Sequence, residues 1–504
     1  GTPLTGYYNT IRILGTPTSG TGNSYCFYYS GTALTLTLKD DLFVNERSNS
    51  GSTGKHYSIY FTNSITYTGS YNDFFISGTG GVLGHTTAGD QADLSAWKTA
   101  TSQDGTGTIS SNYTYVSTTD LHLVLTACDI NNAGTPVTPV IDYDGSSRSG
   151  STPDIGADEV SPTITWTGAT GTDWNTSTNW SPQTVPATYN DVVIPVVATV
   201  YPIITSTTAT CHSLNINASA SLTMNSASKL TLDATCSNAT FTNAGTFTAN
   251  SNSEVVFSGS PNTATIVPTA ATQFENVTIN IGVNMGGSST TVNGILQLKS
   301  GSYVSGGTAP TYSANSTLQY NTNGSYTASA EWYDNTFSGA GWPQNVDITG
   351  TSTSLVFNTG YPREMRGNLT IGSTCSLTLS ASFSGGDLYI KGNWTRAATG
   401  TFNPVGRGVK FNGTTNQTIT VTGGGTETFH YVTINKASGD LYLSNTAGSL
   451  TSMKITMYNH LWLLSCFNRK KVECLFDCFQ LLLCRLNVQG WQHPFSQQTH
   501  FSHQ

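Results

Sequence analysis

Charge is scarce in this chain. Only 10 % of its 504 residues are Asp, Glu, Lys or Arg, against about 25 % in a typical soluble domain. Lys and Arg together number 20 and the net charge is −8. No basic patch is visible, which argues against nucleic acid as a partner. No apolar run reaches the roughly 18 residues of a membrane-spanning helix. Phosphate loops, dinucleotide fingerprints and nucleophile elbows are missing too. The first residues, GTPLTGYYN, carry neither Met nor a leader pattern. The expectation is a fragment of a longer protein, with any export signal upstream.

Cysteine is sparse through most of the chain. Cys26, Cys128, Cys211, Cys236 and Cys375 stand singly and read as small buried hydrophobes. A Cys211–Cys236 disulfide is open but not fixed by sequence. Cys466, Cys474, Cys478 and Cys484 crowd the end of the chain and follow no zinc-binding spacing.

Thr, Ser, Asn and 51 glycines fill the space that charge leaves. Branched Thr suits a pleated strand, and Gly, Asn and Ser suit tight turns. Aromatics at 11 % argue against disorder. Short runs such as HYSIYF (His56–Phe61), ITYTG (Ile65–Gly69) and DFFISG (Asp73–Gly78) alternate with turn signals. They read as half-buried strands. DLSAWK (Asp93–Lys98) is the one short helical candidate. In the second half, LNI, LTM and LTL begin at Leu214, Leu222 and Leu230 with even spacing. Outer positions are apolar and central ones polar, as short strands with one buried face require. A longer unit repeats: VVFSG before FENVTIN, VKFNG before FHYVTIN, and LQY before NVDI. Such repeats mark a repetitive β architecture. The fold class is therefore all-β.

The stretch Asp120–Glu159 contains DLHL, then CDIN, then DYDGSSR, then DIGADE. This order resembles the closing sequence of the right-handed parallel β-helix of secreted Bacteroidetes proteins, with Asp158 where the family pattern has an aromatic. TWTGATGTDWNTSTNW, opening near Ile164, and GDLYIKGNW at Gly386–Trp394 resemble the solenoid modules of proteins exported by type IX secretion. The resemblance implies a right-handed parallel β-helix over residues 1–160 and a second β-solenoid over 161–450, located outside the cell or on its outer surface. Residues 451–504 lose the Thr/Gly rhythm and gain Cys, Phe and Leu. A frame-shifted tail outside the fold is expected there.

β-Helix folds host polysaccharide lyases and hydrolases, and such chemistry needs a base beside acidic groups. Lys55, His56, His85, Asp90, Asp93 and His122 are the candidates, and they are scattered. No catalytic residue is assigned. Asp142 and Asp144 in the DYDG loop are candidate calcium ligands, because carboxylates two apart point the same way in an extended loop. The competing reading is a turn in which Asp side chains accept backbone N–H bonds and Gly145 takes positive φ. No other cofactor is implied. Glu331, Trp332, Asp334, Trp342 and Gln344 form the best sugar-binding candidate, since sugars stack on aromatic faces. Trp166, Trp174 and Trp180 are expected to close the open end of the second solenoid. The expected function is a non-enzymatic, adhesin-like extracellular protein. A polysaccharide-active β-helix with upstream catalytic coils, and a carbohydrate-binding surface protein, are the rivals. Extracellular polysaccharide or cell-surface glycans are the expected partners.

Overall fold

The computed structural model describes residues 3–31, 35–123, 129–159, 163–197, 200–235, 237–305, 309–333, 337–358, 361–381 and 387–444, with backbone strands at 450–457, 460–465, 471–476 and 482–487. Almost all regular structure is short strand in parallel ladders, the pattern of stacked coils.

In the first part, the chain visits three faces in turn. Leu4–Tyr7, Thr35–Lys39 and Thr66–Ser70 stack in parallel on the first face. Thr10–Ile13, Leu42–Asn45 and Asp73–Ile76 form the second. Ser24–Tyr29, His56–Phe61 and Gly81–Thr86 form the third. The corner between the first two faces is made the same way in each coil. Tyr8, Asp40 and Tyr71 sit at φ of 57°, 58° and 57°, and each is followed by Asn9, Asp41 or Asn72. A single left-handed residue turns the chain without a loop. It leaves buried polar backbone that must be paired. The short polar side chains pair this backbone, and one another, across coils. The Asn9 amide donates to Asp41 Oδ1 at 2.7 Å, the Asp41 backbone N–H donates to Asn72 Oδ1 at 3.0 Å, and the Asn72 amide donates to Asp104 Oδ1 at 2.9 Å. Their sequence separations, 32, 31 and 32 residues, are the length of one coil.

Leu36, Leu38, Phe43, Ile59, Phe61, Phe74 and Leu83 fill the interior. The helical expectation holds as Leu94–Thr101, capped by Asp93, whose carboxylate accepts the Ala96 N–H at 2.8 Å. The helix drives Trp97 fully into the core. Gly84 leaves the room: a Cβ there would lie 2.4 Å from the indole.

Leu42 and Val44 point out of this interior yet are buried. They belong to a second cluster with Tyr113, Tyr115, Leu123, Ile130 and Ile155. The closing sequence therefore folds back over the outer side of the second face. Gly156 N–H bonds to Asp40 O at 2.8 Å and Ala157 N–H to Thr10 Oγ1 at 2.8 Å. LFVN is buried on both sides, which explains why its apolar run does not alternate.

The second part has one continuous core from Ile164 to Leu443. Ser213–Ile216, Ser221–Met224 and Lys229–Asp233, which carry the evenly spaced triplets, lie in three different sheets. They are the three sides of a single coil. The longer repeat has another cause. Val255 and Phe257 pair with Val277 and Ile279, Leu318 and Tyr320 with Val346 and Ile348, and Val409 and Phe411 with Val432 and Ile434. The two halves of each unit are neighbouring rungs of one sheet. Asn345, Asn368 and Asn393 form a second ladder, each accepting a backbone N–H from the next coil, at 23, 25 and 25 residues. At the start, Trp166 and Trp174 each meet Trp180 edge-on at 4.8 Å, and all three are buried.

Leu450–Met457 continues the parallel pairing on Gly425–Phe429. After Met457 the pairing turns antiparallel, as His460–Ser465 folds back on Leu450–Met457 and Lys471–Phe476 pairs with Leu482–Asn487. No helix among the described residues is long and apolar enough to cross a membrane.

Candidate functional site

The two aspartates proposed for calcium have different hydrogen-bond partners in the DYDG loop. Asp142 is buried, and its Oδ1 accepts the N–H groups of Asp144 at 3.0 Å and Ser146 at 2.7 Å. Its Oδ2 accepts the Glu159 N–H at 3.3 Å, and Gly145 takes φ 84°. Asp142 is thus a turn residue whose two oxygens accept backbone N–H groups, as the turn reading of this loop expects. Arg148 locks the same loop. It pairs with Glu159 at 3.4 Å, donates to the Ala157 carbonyl at 2.7 Å and lies over the Tyr8 ring at 3.9 Å.

Asp144 bonds outside the loop. Its Oδ2 lies 2.9 Å from His122 Nε2. The other imidazole nitrogen, Nδ1, bonds to Asp120. Asp158 completes the group: one ligand atom each from His122, Asp144 and Asp158 lie within 4.8 Å of one another. His122 and Asp158 line a cavity of about 540 Å³ with Thr10, Asp120 and Tyr143. The hydrogen bond to Asp120 raises the His122 pKa, and the same bond lowers that of Asp120. Burial raises the Asp158 carboxyl, against the pull of His122. Sequence reading named His122 and Asp144 separately and missed Asp158 as a ligand. The available signal was its carboxylate where the resemblance expects an aromatic.

Three of the six residues considered for catalysis meet on the outer side of the third face. Asp90 accepts from Lys55, from Tyr57 OH at 3.0 Å, and pairs with His85 Nδ1 at 2.7 Å. Burial opposes ionisation of Asp90, but these donors prevail and hold its pKa below the ordinary value. Around them Tyr25 stacks on Tyr57 at 5.5 Å, Tyr28 on Tyr60 at 5.5 Å, and Tyr60 on His85 at 4.3 Å. Tyr57 is buried beneath the group, and Tyr28 is its most exposed ring. His56 does not join them. It is fully buried between Ser24 Oγ and Asn49 Oδ1, both at 2.9 Å. Burial, with Arg47 nearby, lowers its pKa. Asp93 serves the helix cap.

The sugar platform expected at Trp332 and Trp342 is not there. Glu331 and Trp332 are 0 % exposed, on a short 3₁₀ turn, Ala330–Trp332, that points into the solenoid. Trp332 meets Phe357 edge-on at 5.2 Å and donates to the Glu364 carbonyl at 2.9 Å. Glu331 accepts from Tyr320 OH at 3.0 Å, and burial raises its pKa. Trp342 is half-buried, with Lys391 at 4.6 Å and Arg366 at 5.1 Å from its ring centre. Gln344 is half-buried and gives its carbonyl to the Gly367 N–H. Asp334 and Cys236 lie outside the described residues.

A model of a domain of unknown function, DUF8693, matches residues 165–285. That range begins one residue before Trp166 and ends at Met285, within the second solenoid. Neither the curated proteins nor the solved structures give a match.

Proposed function

We propose that this protein is a non-catalytic, adhesin-like component of the cell exterior, whose solenoids hold and space surface features. One observation carries this reading: a single unbroken apolar core runs from Ile164 to Leu443 beneath a coat of Thr, Ser and Asn. Repetition of one coil with few charges is suited to extension rather than to a reaction centre. The resemblance of the closing sequence and of the second module to exported proteins supports the location. The test is protease shaving and antibody labelling of intact cells, together with incubation of purified protein with pectin, alginate and glycosaminoglycans. Surface accessibility without turnover is expected. Turnover lost on His85→Ala would replace this reading with an enzymatic one.

A second reading, glycan contact, is favoured by the Tyr25, Tyr28, Tyr60 and His85 group with its Lys55–Asp90 pair. Ring edges, hydroxyls and a charged pair side by side offer both apolar and hydrogen-bonding contact. A glycan array probed with the intact protein and with Tyr28→Ala tests it. Signal equal in both would remove this site.

A further inference from the structure

We propose that His122, Asp144 and Asp158 bind one divalent transition-metal ion of the zinc class, which clamps the closing sequence of the first solenoid. The three groups come from separate segments: the strand-like stretch before the closing turn, the DYDG loop and the DIGADE stretch. Their ligand atoms lie within 4.8 Å of one another. Zinc holds nitrogen and carboxylate oxygen at about 2.0–2.2 Å, so ligand atoms as far apart as 4.8 Å would draw in by side-chain rotation as the ion binds.

The donor set decides the class of ion. One imidazole nitrogen and two carboxylates suit zinc or its first-row neighbours, whereas calcium and magnesium take oxygen ligands throughout. The surroundings match as well. A ligating histidine ordinarily gives its other ring nitrogen to a carboxylate, which fixes the tautomer and the ring plane. Asp120 does this here: its Oδ1 bonds to His122 Nδ1 and also accepts the His122 backbone N–H at 3.1 Å. That leaves Nε2 facing Asp144 and Asp158. The adjoining cavity of about 540 Å³ gives an ion access from solvent and room for water to complete its coordination. Asp142 takes no part, since the turn uses both its oxygens.

The experiment titrates ZnCl₂ and, separately, CaCl₂ into the EDTA-treated 504-residue chain, followed by calorimetry and by metal analysis after desalting. The chain also carries histidines and cysteines beyond Met457, so the quantity read is the difference between wild type and site variants. One zinc equivalent should be lost in His122→Ala and in Asp144→Asn. Asp120→Asn should weaken that equivalent by about tenfold to a hundredfold. Zinc should raise the melting temperature of the wild type and not of Asp144→Asn. Asp144 is solvent-facing, so this variant remains decisive if His122→Ala fails to fold. Equal zinc stoichiometry in wild type and Asp144→Asn would overturn the proposal. So would a site filled by calcium as readily as by zinc.

Discussion

Asp41 shows what a single residue costs the first solenoid. Its neighbours in the corner ladder are Asn9 and Asn72, but Asp41 brings a carboxylate, and its Oδ2 has no partner among the described residues. Burial pushes this carboxyl up to about 7. In the unfolded chain the value is near the ordinary 3.8. A raised folded value means that the stabilising contribution is complete below about pH 4 and is lost as pH rises through 7. Asp41→Asn should therefore raise the melting temperature at pH 8 and leave it nearly unchanged at pH 4.5. A pH-independent effect in a thermal melt would refute this. Arg396 and Glu427 make the opposite case. They pair at 2.8 Å, both buried, and Trp394 donates to the same carboxylate at 2.8 Å. Glu427→Ala should cost about 3–5 kcal/mol by leaving a buried cation, and Arg396→Met with Glu427→Leu should recover much of it. Chemical denaturation of the single and double variants measures both. At this scale sequence was least informative. Trp332 and Trp342 look alike in sequence, yet one fills the core and the other lies half-buried beside two cations. An irregular insertion has no period from which to read inside and outside. His122, Asp144 and Asp158 meet only because the chain folds back on itself.

Elements were far more legible. HYSIYF forms a strand over the residues expected, and the Leu214, Leu222 and Leu230 triplets are all strands. Period-two alternation survives in the triplets because each of those strands has one face against the core, whereas His56–Phe61 is buried almost throughout. LFVN gave no such signal because the closing sequence covers its outer side. The helix shows how one element depends on a residue of another. Gly84→Ala would press a methyl group on Trp97 and should cost roughly 1–3 kcal/mol. Trp97→Phe in the same chain should relieve part of that cost, and thermal melts of the two variants decide it. The end of the parallel ladder supports a further expectation. Removing residues 458–504 should leave the melting of the remainder nearly unchanged, since beyond Met457 the described strands join the solenoid only by antiparallel pairing, of His460–Ser465 on Leu450–Met457 and of Lys471 with Tyr442. A drop of more than about 1 kcal/mol would make the tail part of the fold.

The molecule has separate cores on either side of residues 160–162, those of the first solenoid and the single long core of the second. Scanning calorimetry should resolve two transitions, and Asp41→Asn should move only one. A single transition shifted as a whole would mean that the two parts unfold together. The long sheet has a geometric consequence. Its parallel strands run from Ala209–Cys211 to Leu441–Leu443, each displaced from the last by the spacing between neighbouring strands. Eleven such strands at about 4.8 Å apiece measure roughly 50 Å. Reach is thus set by the number of turns, not by the length of any corner. Inserting or deleting a whole turn would move everything beyond it by one fixed step along the axis and leave the girth unaltered. The chain is a ruler graduated in single strands.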